Sequence, residues 1–186
     1  MFMMKTLSLM CLVALLSTCT ALNEIKIEVE NIATDESYTG RIYPRSNASG
    51  LRTVRIMDSN RVEIFLCIDD EETFQVADVS YSTDGFSDEV NVILDNHEIG
   101  QFTTHSESNG GLLWNEFHHT GEIGQEFRMI PGEHNLTIAL DQLNELGVEL
   151  DFLLLRFSRS TTEDEVLCSY HSYSHISPDL TVGVEP

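Results

Sequence analysis

Basic residues are scarce in this chain. Lys and Arg together number 10 against 31 Asp and Glu, a formal charge of −21 at pH 7 over 186 residues. A polyanion of this kind repels nucleic acid and anionic lipid, which sets both aside as ligands. It favours solubility and draws cations, and a solvated acidic surface accounts for most of the excess. Long apolar runs are lacking as well. Leu7 to Leu16 is apolar but falls short of the roughly 20 residues a spanning helix needs, and no later segment is apolar enough. There is no helical stripe of useful length, and no internal repeat, which argues against a solenoid or propeller. Catalytic signatures are missing too: no Gly-x-Ser-x-Gly, no His-Glu-x-x-His and no phosphate-binding glycine loop. Carboxylate pairs for glycoside hydrolysis stay open in so acidic a chain, because their geometry is set by the fold. The expectation is a protein that is not an enzyme.

What is present begins with an address. Lys5 is the only charge before Glu24, the apolar run follows it, and Cys19-Thr20-Ala21 offers small residues for cleavage. This three-part pattern reads as a secretory signal over residues 1–21. A membrane anchor and a lipoprotein, the latter from Leu16-Ser17-Thr18-Cys19, are the rival readings. The expected product is secreted, with one binding domain over residues 22–158 and a polar tail over residues 159–186. Removing the leader leaves Cys67 and Cys168, an even pair, and an oxidising compartment favours a bridge between them over two free thiols. Two glycosylation sequons suit the same compartment, Asn47-Ala48-Ser49 and Asn135-Leu136-Thr137.

The domain itself reads as short strands between turns. Ile25, Ile27 and Val29 alternate with Lys26, Glu28 and Glu30; Val62, Ile64, Leu66 and Ile68 alternate along Arg61 to Ile68; Val90, Val92 and Leu94 do so along Glu89 to Asp95. Asp58-Ser59-Asn60, Thr83-Asp84-Gly85, Asp95-Asn96-His97-Glu98 and Pro131-Gly132 mark turns. Further strands are expected at Leu51 to Met57, Glu72 to Tyr81, Ile99 to Phe102, Leu112 to His118 (with the only Trp), Glu133 to Leu140 and Val148 to Ser158, with a weaker one over Gly121 to Met129. The segment between Glu30 and Leu51 reads as a loop. Eight or more such strands make the chain all-β, a sandwich. His118 and His119 are adjacent, so in a strand they point to opposite faces and do not share a metal; His171 and His175 read as surface residues of the tail.

Gly110-Gly111, Trp114-Asn115-Glu116-Phe117, Pro131 to Ile138 and Gly147-Val148-Glu149-Leu150-Asp151-Phe152 follow one another in an order that resembles the second half of carbohydrate-binding modules of families 6 and 35. Ile27-Glu28-Val29-Glu30 resembles the opening Glu-x-Glu of that family, Val79-Ser80-Tyr81-Ser82 its Arg-Tyr strand, and Val90 to Gly100 its strand-turn-strand. The resemblance spans about residues 24–158. It implies a jelly-roll-like sandwich of two antiparallel sheets, galactose-binding-domain-like, whose first and last strands lie side by side. It also implies a structural Ca²⁺ held by Glu28, Glu30 and Asp151, since hard cations take several oxygen ligands; the alternative is that the two glutamates are the solvated face of an edge strand.

The same resemblance implies a glycan partner, bound at a rim of aromatic residues by Tyr81, Trp114 and the residue at position 149. Either ring is open to a second reading, as a buried core residue. Where the family has an Asn to hydrogen-bond the sugar, this chain has Glu149, which accepts but does not donate when ionised. That departure, together with the acidity, keeps a second function in view: a secreted acidic interaction or matrix protein that binds a protein partner or cations on the same scaffold.

Overall fold

The computed structural model describes residues 23–33, 41–57, 61–105, 114–141 and 146–168. The expected signal peptide, the Ser106 to Gly111 loop, and the tail beyond Cys168 with His171 and His175 lie outside the described residues. In chain order the elements are β1 (Asn23–Glu28), α1 (Val29–Ile32), β2 (Ile42–Pro44), β3 (Arg52–Ile56), β4 (Arg61–Ile68), β5 (Glu72–Thr83), β6 (Glu89–Leu94), β7 (His97–Thr103), β8 (His118–His119), β9 (Ile123–Met129), β10 (Gly132–Leu140), β11 (Val148–Phe157) and α2 (Glu163–Val166). All the pairings are antiparallel. One sheet runs β2-β3-β11-β5-β8, with β1 also paired to β11 and β9 also paired to β5; the second runs β4-β10-β6-β7.

The alternating strands place their apolar halves between the sheets. Val62, Ile64, Leu66 and Ile68 of β4, Val90, Val92 and Leu94 of β6, and Leu136 and Ile138 of β10 are all buried. They meet Ile25, Ile27, Val54, Ile56, Phe74, Val76, Val79, Leu150, Leu153, Leu155 and Phe157 from the larger sheet in one core. The first and last strands are neighbours, with Ile27 opposite Leu153 and Glu28 opposite Phe152. The turn between β6 and β7 is set by Asp95 and Asn96, both at positive φ (50° and 66°), the conformation a two-residue hairpin turn requires.

β11 is the strand around which the larger sheet is organised. On one flank it pairs with β5 along its length; on the other it pairs first with β3 (Val148 to Leu150) and then with β1 (Phe152 to Phe157). The handover falls at Asp151, an extra residue in the ladder with β5, where Leu150 faces Tyr81 and Phe152 faces Ser80. A bulge of this kind flips the alternation. Val148 and Leu150 point inward before it, and Leu153, Leu155 and Phe157 after it.

The same handover corrects the expected first strand. One edge of β11 takes only one partner at a time, so β1 leaves the sheet at Glu28 and turns into α1, and Glu30 is not on the strand. Trp114 is likewise not in a strand: Trp114 and Asn115 form a turn, and β8 is only His118 and His119. The segment read as a loop before Leu51 contains β2, paired to β3 through Tyr43 and Thr53.

After β11 the chain crosses the open side of the sandwich. Asn23 donates its side-chain amide to the Thr161 carbonyl (2.5 Å), and a capping box between Thr162 and Glu165 starts α2. Val166 is buried, Leu167 bridges Leu66, and the Cys168 N–H donates to Phe65 O (3.0 Å). Cys67 and Cys168 form a disulfide, with Cα atoms 5.0 Å apart and a sequence separation of 101. This strap joins β1 to β4, the edge of the smaller sheet, and covers backbone that would otherwise be open to pairing. Closing so long a loop stabilises the fold by about 4–5 kcal/mol in the chain-entropy account. The Cys67→Ser/Cys168→Ser variant is expected to lose most of that in a urea melt; a loss below about 1 kcal/mol would show the strap to be held by its packing alone.

At that same end of the sandwich His134, on β10, is a buried clamp. Its Nδ1 lies 2.5 Å from Asp95 Oδ2 and its Nε2 lies 2.7 Å from Ile130 O, so both ring nitrogens face acceptors and the imidazolium form satisfies both. Burial lowers its pKa, but the Asp95 and Ile130 hydrogen bonds and the Asp95 charge more than offset that and raise it above the ordinary histidine value. A raised histidine stabilises the fold fully below its unfolded pKa, and that stability fades as pH rises through the folded value. Melting temperature is expected to fall on going from about pH 6.5 upward, and His134→Gln is expected to flatten that dependence. Parallel pH profiles of the two proteins would count against the clamp.

Candidate functional site

The outer face of the larger sheet is polar where an ordinary solvated face would be loosely packed. Glu149 on β11 has no exposed side-chain surface. An isolated buried carboxylate is costly, and here it has two arginines. Arg45, on the turn after β2, donates from Nε to Oε2 (2.6 Å) and from Nη2 to Oε1 (2.5 Å). Arg55 on β3 donates from Nε and Nη2 to Oε1 (3.1 and 2.5 Å), and Thr53 Oγ1 donates to Oε2 (2.9 Å). The Arg45 fork spans both carboxylate oxygens, the bidentate and stronger class of ion pair, whereas Arg55 places both donors on Oε1.

Two aromatic rings enclose the arginines. The Arg55 guanidinium lies 4.0 Å from the Trp114 ring centre and 4.1 Å from that of Tyr43; Arg45 lies 6.0 and 5.5 Å away. Weakly hydrated guanidinium suits such stacking. The turn that carries Arg45 is tied down at Asn47, which donates from its backbone N–H to Asn115 Oδ1 (3.1 Å) and from its side-chain amide to the Asn115 carbonyl (2.9 Å). Asn47 is exposed beside the cluster. Asn135, the other sequon residue, donates to Glu63 on the outer face of the smaller sheet.

Below this lies the second polar group, at the β11 bulge. Asp151 is buried and accepts from the Ser49 N–H (2.9 Å) and Ser80 Oγ (3.0 Å). Glu28 Oε1 accepts from Ser49 Oγ (2.7 Å) and pairs with Lys26 (2.7 Å). Its Oε2, like Oε2 of Glu30, is buried without a hydrogen-bond partner. The Glu30 carboxylate occupies the space over Gly50, where a Cβ would overlap it. Burial raises the Glu30 pKa, its backbone hydrogen bond partly opposes this, and Glu28 and Asp151 raise it further; Asp151 is raised first by burial and also by Glu28. Glu163 on α2 is raised by burial, by Asp164 and by Glu28.

The three carboxylates thus converge although Glu28 and Glu30 do not share a strand. Their oxygens are spread: among the described residues, the trio of Cys, His, Asp or Glu ligand atoms mutually within 4.8 Å is Cys67, Glu133 and Cys168, and its two sulfurs are bonded to each other. Orphaned buried carboxylate oxygens of the hard-donor type nevertheless fit an oxygen-seeking cation.

Of the three expected ligand-binding residues, Trp114 and Glu149 come together and Tyr81 does not join them. Tyr81 is 4 % exposed, packs on Phe102 and His118, and accepts at its hydroxyl from the His105 N–H (3.0 Å). It is a core residue because its side of β5 faces the second sheet. Glu149 is closed off from direct ligand contact by its own partners. Tyr43, Arg45, Thr53 and Arg55 were not singled out from the sequence. The signal that would have found the arginines is four of them close together, Arg41, Arg45, Arg52 and Arg55, in a chain so poor in basic residues.

No protein-family model and no curated protein matches the chain. Solved structures do. A family 35 carbohydrate-binding module from Clostridium thermocellum aligns over 72 % of this chain and 97 % of its own, at 10 % identity and TM-score 0.50. The fold is the galactose-binding-type β-sandwich that such modules have. The GH26-CBM35 β-(1,4)-mannanase of Podospora anserina aligns over 74 % of this chain at 12 % identity (TM-score 0.52), and an exo-β-1,3-galactanase of Phanerochaete chrysosporium, solved with β-1,3-galactotriose, over 72 % at 19 % (TM-score 0.51). The chain spans only 28 % and 29 % of those two enzymes. In the family 35 module fold, the paired ends of the domain put Glu28 and Asp151 on adjacent strands, and no helix among the described residues is long and apolar enough to cross a membrane.

Like charges this close and partly buried destabilise one another. In EDTA, Glu30→Gln is expected to raise the melting temperature by a few degrees, read by calorimetry. An equal or lower melt would mean that the three carboxylates do not repel.

Proposed function

We propose that this protein is a secreted, non-catalytic carbohydrate-binding protein that takes its glycan on the outer face of the larger sheet, around Trp114 and Tyr43. The observation that carries this is the placement of the two rings and two arginines on one polar face of a fold shared with family 35 modules. Aromatic edges give the apolar C–H faces of a sugar a place to pack, and the guanidinium N–H groups give hydroxyls their acceptor contacts. Trp114 keeps its proposed role. Glu149 supports it indirectly, by holding Arg45 and Arg55 in place, and Tyr81 has none. Glu28, Glu30 and Asp151 are proposed to hold a structural Ca²⁺, whose charge would relieve their repulsion. Asn47 and Asn135 are proposed glycan acceptors.

Affinity electrophoresis through gels loaded with galactomannan, β-1,3-galactan or polygalacturonate tests the reading. Retardation is expected in at least one gel and is expected to fall with Trp114→Ala. Ca²⁺ is expected to raise the wild-type melting temperature after EDTA treatment and to leave that of Glu30→Gln nearly unchanged. A protein that keeps its melting transition yet migrates freely in every gel would instead favour the secreted acidic interaction protein. One face of Trp114 is already taken by Arg55, which is the observation in favour of that second reading. Salt-reversible capture of a basic partner would then be its mark.

A further inference from the structure

Three metal-ligating side chains meet on the outer face of the smaller sheet. Glu133 on β10 stands directly opposite Cys67 on β4. Cys168, on the strap, lies along the other edge of β4, where Leu167 bridges Leu66 and the Cys168 N–H donates to Phe65 O (3.0 Å). The two sulfurs and a Glu133 carboxylate oxygen lie within 4.8 Å of one another. Both cysteines are half-buried and Glu133 is exposed, so a small solute reaches all three. The Glu133 side chain makes no hydrogen bond or ion pair among the described residues and is free to turn toward the sulfurs.

The covalent bond is only one of the things that hold Cys168 in place. Val166 is part of the core and Leu167 packs against it. The capping box fixes the start of α2, and Asn23 holds the Thr161 carbonyl. None of these contacts involves sulfur, so each remains available once the bridge is opened.

Opening the bridge takes a dithiol. Its thiolate attacks, the S–S bond breaks, and the dithiol leaves as a cyclic disulfide. The protein gains two electrons and two protons and carries two thiols. A divalent cation then displaces both thiol protons to solvent and binds two thiolates. With Zn–S bonds of about 2.3 Å, the sulfurs of a tetrahedral centre stand about 3.8 Å apart. Rotation about the two Cα–Cβ bonds supplies that separation, because the Cα atoms are 5.0 Å apart. Two soft thiolates and one carboxylate suit Zn²⁺, with water in the fourth position. They do not suit Ca²⁺, which takes oxygen ligands. The formal charge of −21 favours the approach of a cation.

We infer that Cys67, Cys168 and Glu133 form a Zn²⁺ site when the bridge is reduced, so that the strap is clasped by a covalent bond in one redox state and by a metal in the other. The site lies on the opposite sheet from the Trp114 face and shares no residue with the carboxylates at the β11 bulge. It is independent of the carbohydrate-binding reading.

The test uses the secreted protein, oxidised and after treatment with dithiothreitol that is then removed by anaerobic gel filtration. Co²⁺ serves as the absorbing probe, with Ca²⁺ in excess to fill oxygen-only sites. The reduced protein is expected to bind one equivalent of Co²⁺ with a thiolate charge-transfer band, and Zn²⁺ is expected to bleach it. The oxidised protein and Cys67→Ser/Cys168→Ser are expected to show no such band. Zn²⁺ is expected to raise the melting temperature of the reduced protein by several degrees and to leave that of the oxidised protein unchanged. Glu133→Gln is expected to weaken Zn²⁺ binding by at least about tenfold, the lower end of what even outer-shell partners contribute. A reduced protein that keeps its melting transition yet gives no thiolate band would overturn the inference. A band that persists in Cys168→Ser, or binding that is indifferent to Glu133→Gln, would overturn the three-ligand site. Loss of the melting transition on reduction, with no recovery in Zn²⁺, would overturn it too.

Discussion

The pairing of β11 on both edges is the constraint from which the rest of the molecule follows. β5 fills one edge along its length, and β3 and β1 divide the other between them. The division forces a break at Asp151, and the bulge there brings an acidic side chain onto the outer face beside Ser80 and Ser49. The same break sends β1 out of the sheet after Glu28 and brings Glu30 back over Gly50. One ladder irregularity thus gathers carboxylates from the first and last strands of the domain.

The polar face has a second consequence for how ion pairs work in this protein. Most of its acidic residues are solvated and add little. Glu149 differs, since a carboxylate with no exposed surface requires a positive partner, and it has two, Arg45 and Arg55. The aromatic rings pack on those arginines and shield them further. A cluster built this way is rigid, and rigidity is what a binding site needs from the elements that carry it. The resemblance at position 149 therefore held a substitution with a different physical meaning. Where the resemblance implies an Asn that hydrogen-bonds a sugar, the glutamate here accepts from Arg45 and Arg55.

Much of the architecture was legible before any coordinates. The apolar phases of β4, β6 and β10 appear in the sequence as strict alternation, because each of these strands has one face in the core and one in water. The side-by-side placement of the terminal strands, a hairpin turn opening at Asp95 and the Cys67–Cys168 bridge were also anticipated, and all three are present; the turn is tighter than Asp95 to Glu98, with His97 and Glu98 already in β7. β2 escaped notice because three residues beside a proline carry no period. Tyr81 was misread because a strand's alternation does not say which of its two faces is the core once a bulge has shifted the phase, as Ala77 and Asp151 do on β5 and β11.

By itself the sequence determined the all-β character, the acidity, and which residues were chemically equipped for a site: carboxylates at 28, 30 and 151 and an aromatic ring at 114. Tertiary structure alone decided which of them meet. Arg45 and Glu149 are 104 residues apart, and Ser49 and Asp151 are 102 apart. Separations of that kind carry no local signal, because side-chain spacing along a strand or a helix reports on a few neighbours only. Contacts across the sheet depend on the register of β11 with its three partners, and register is set by how the whole core packs.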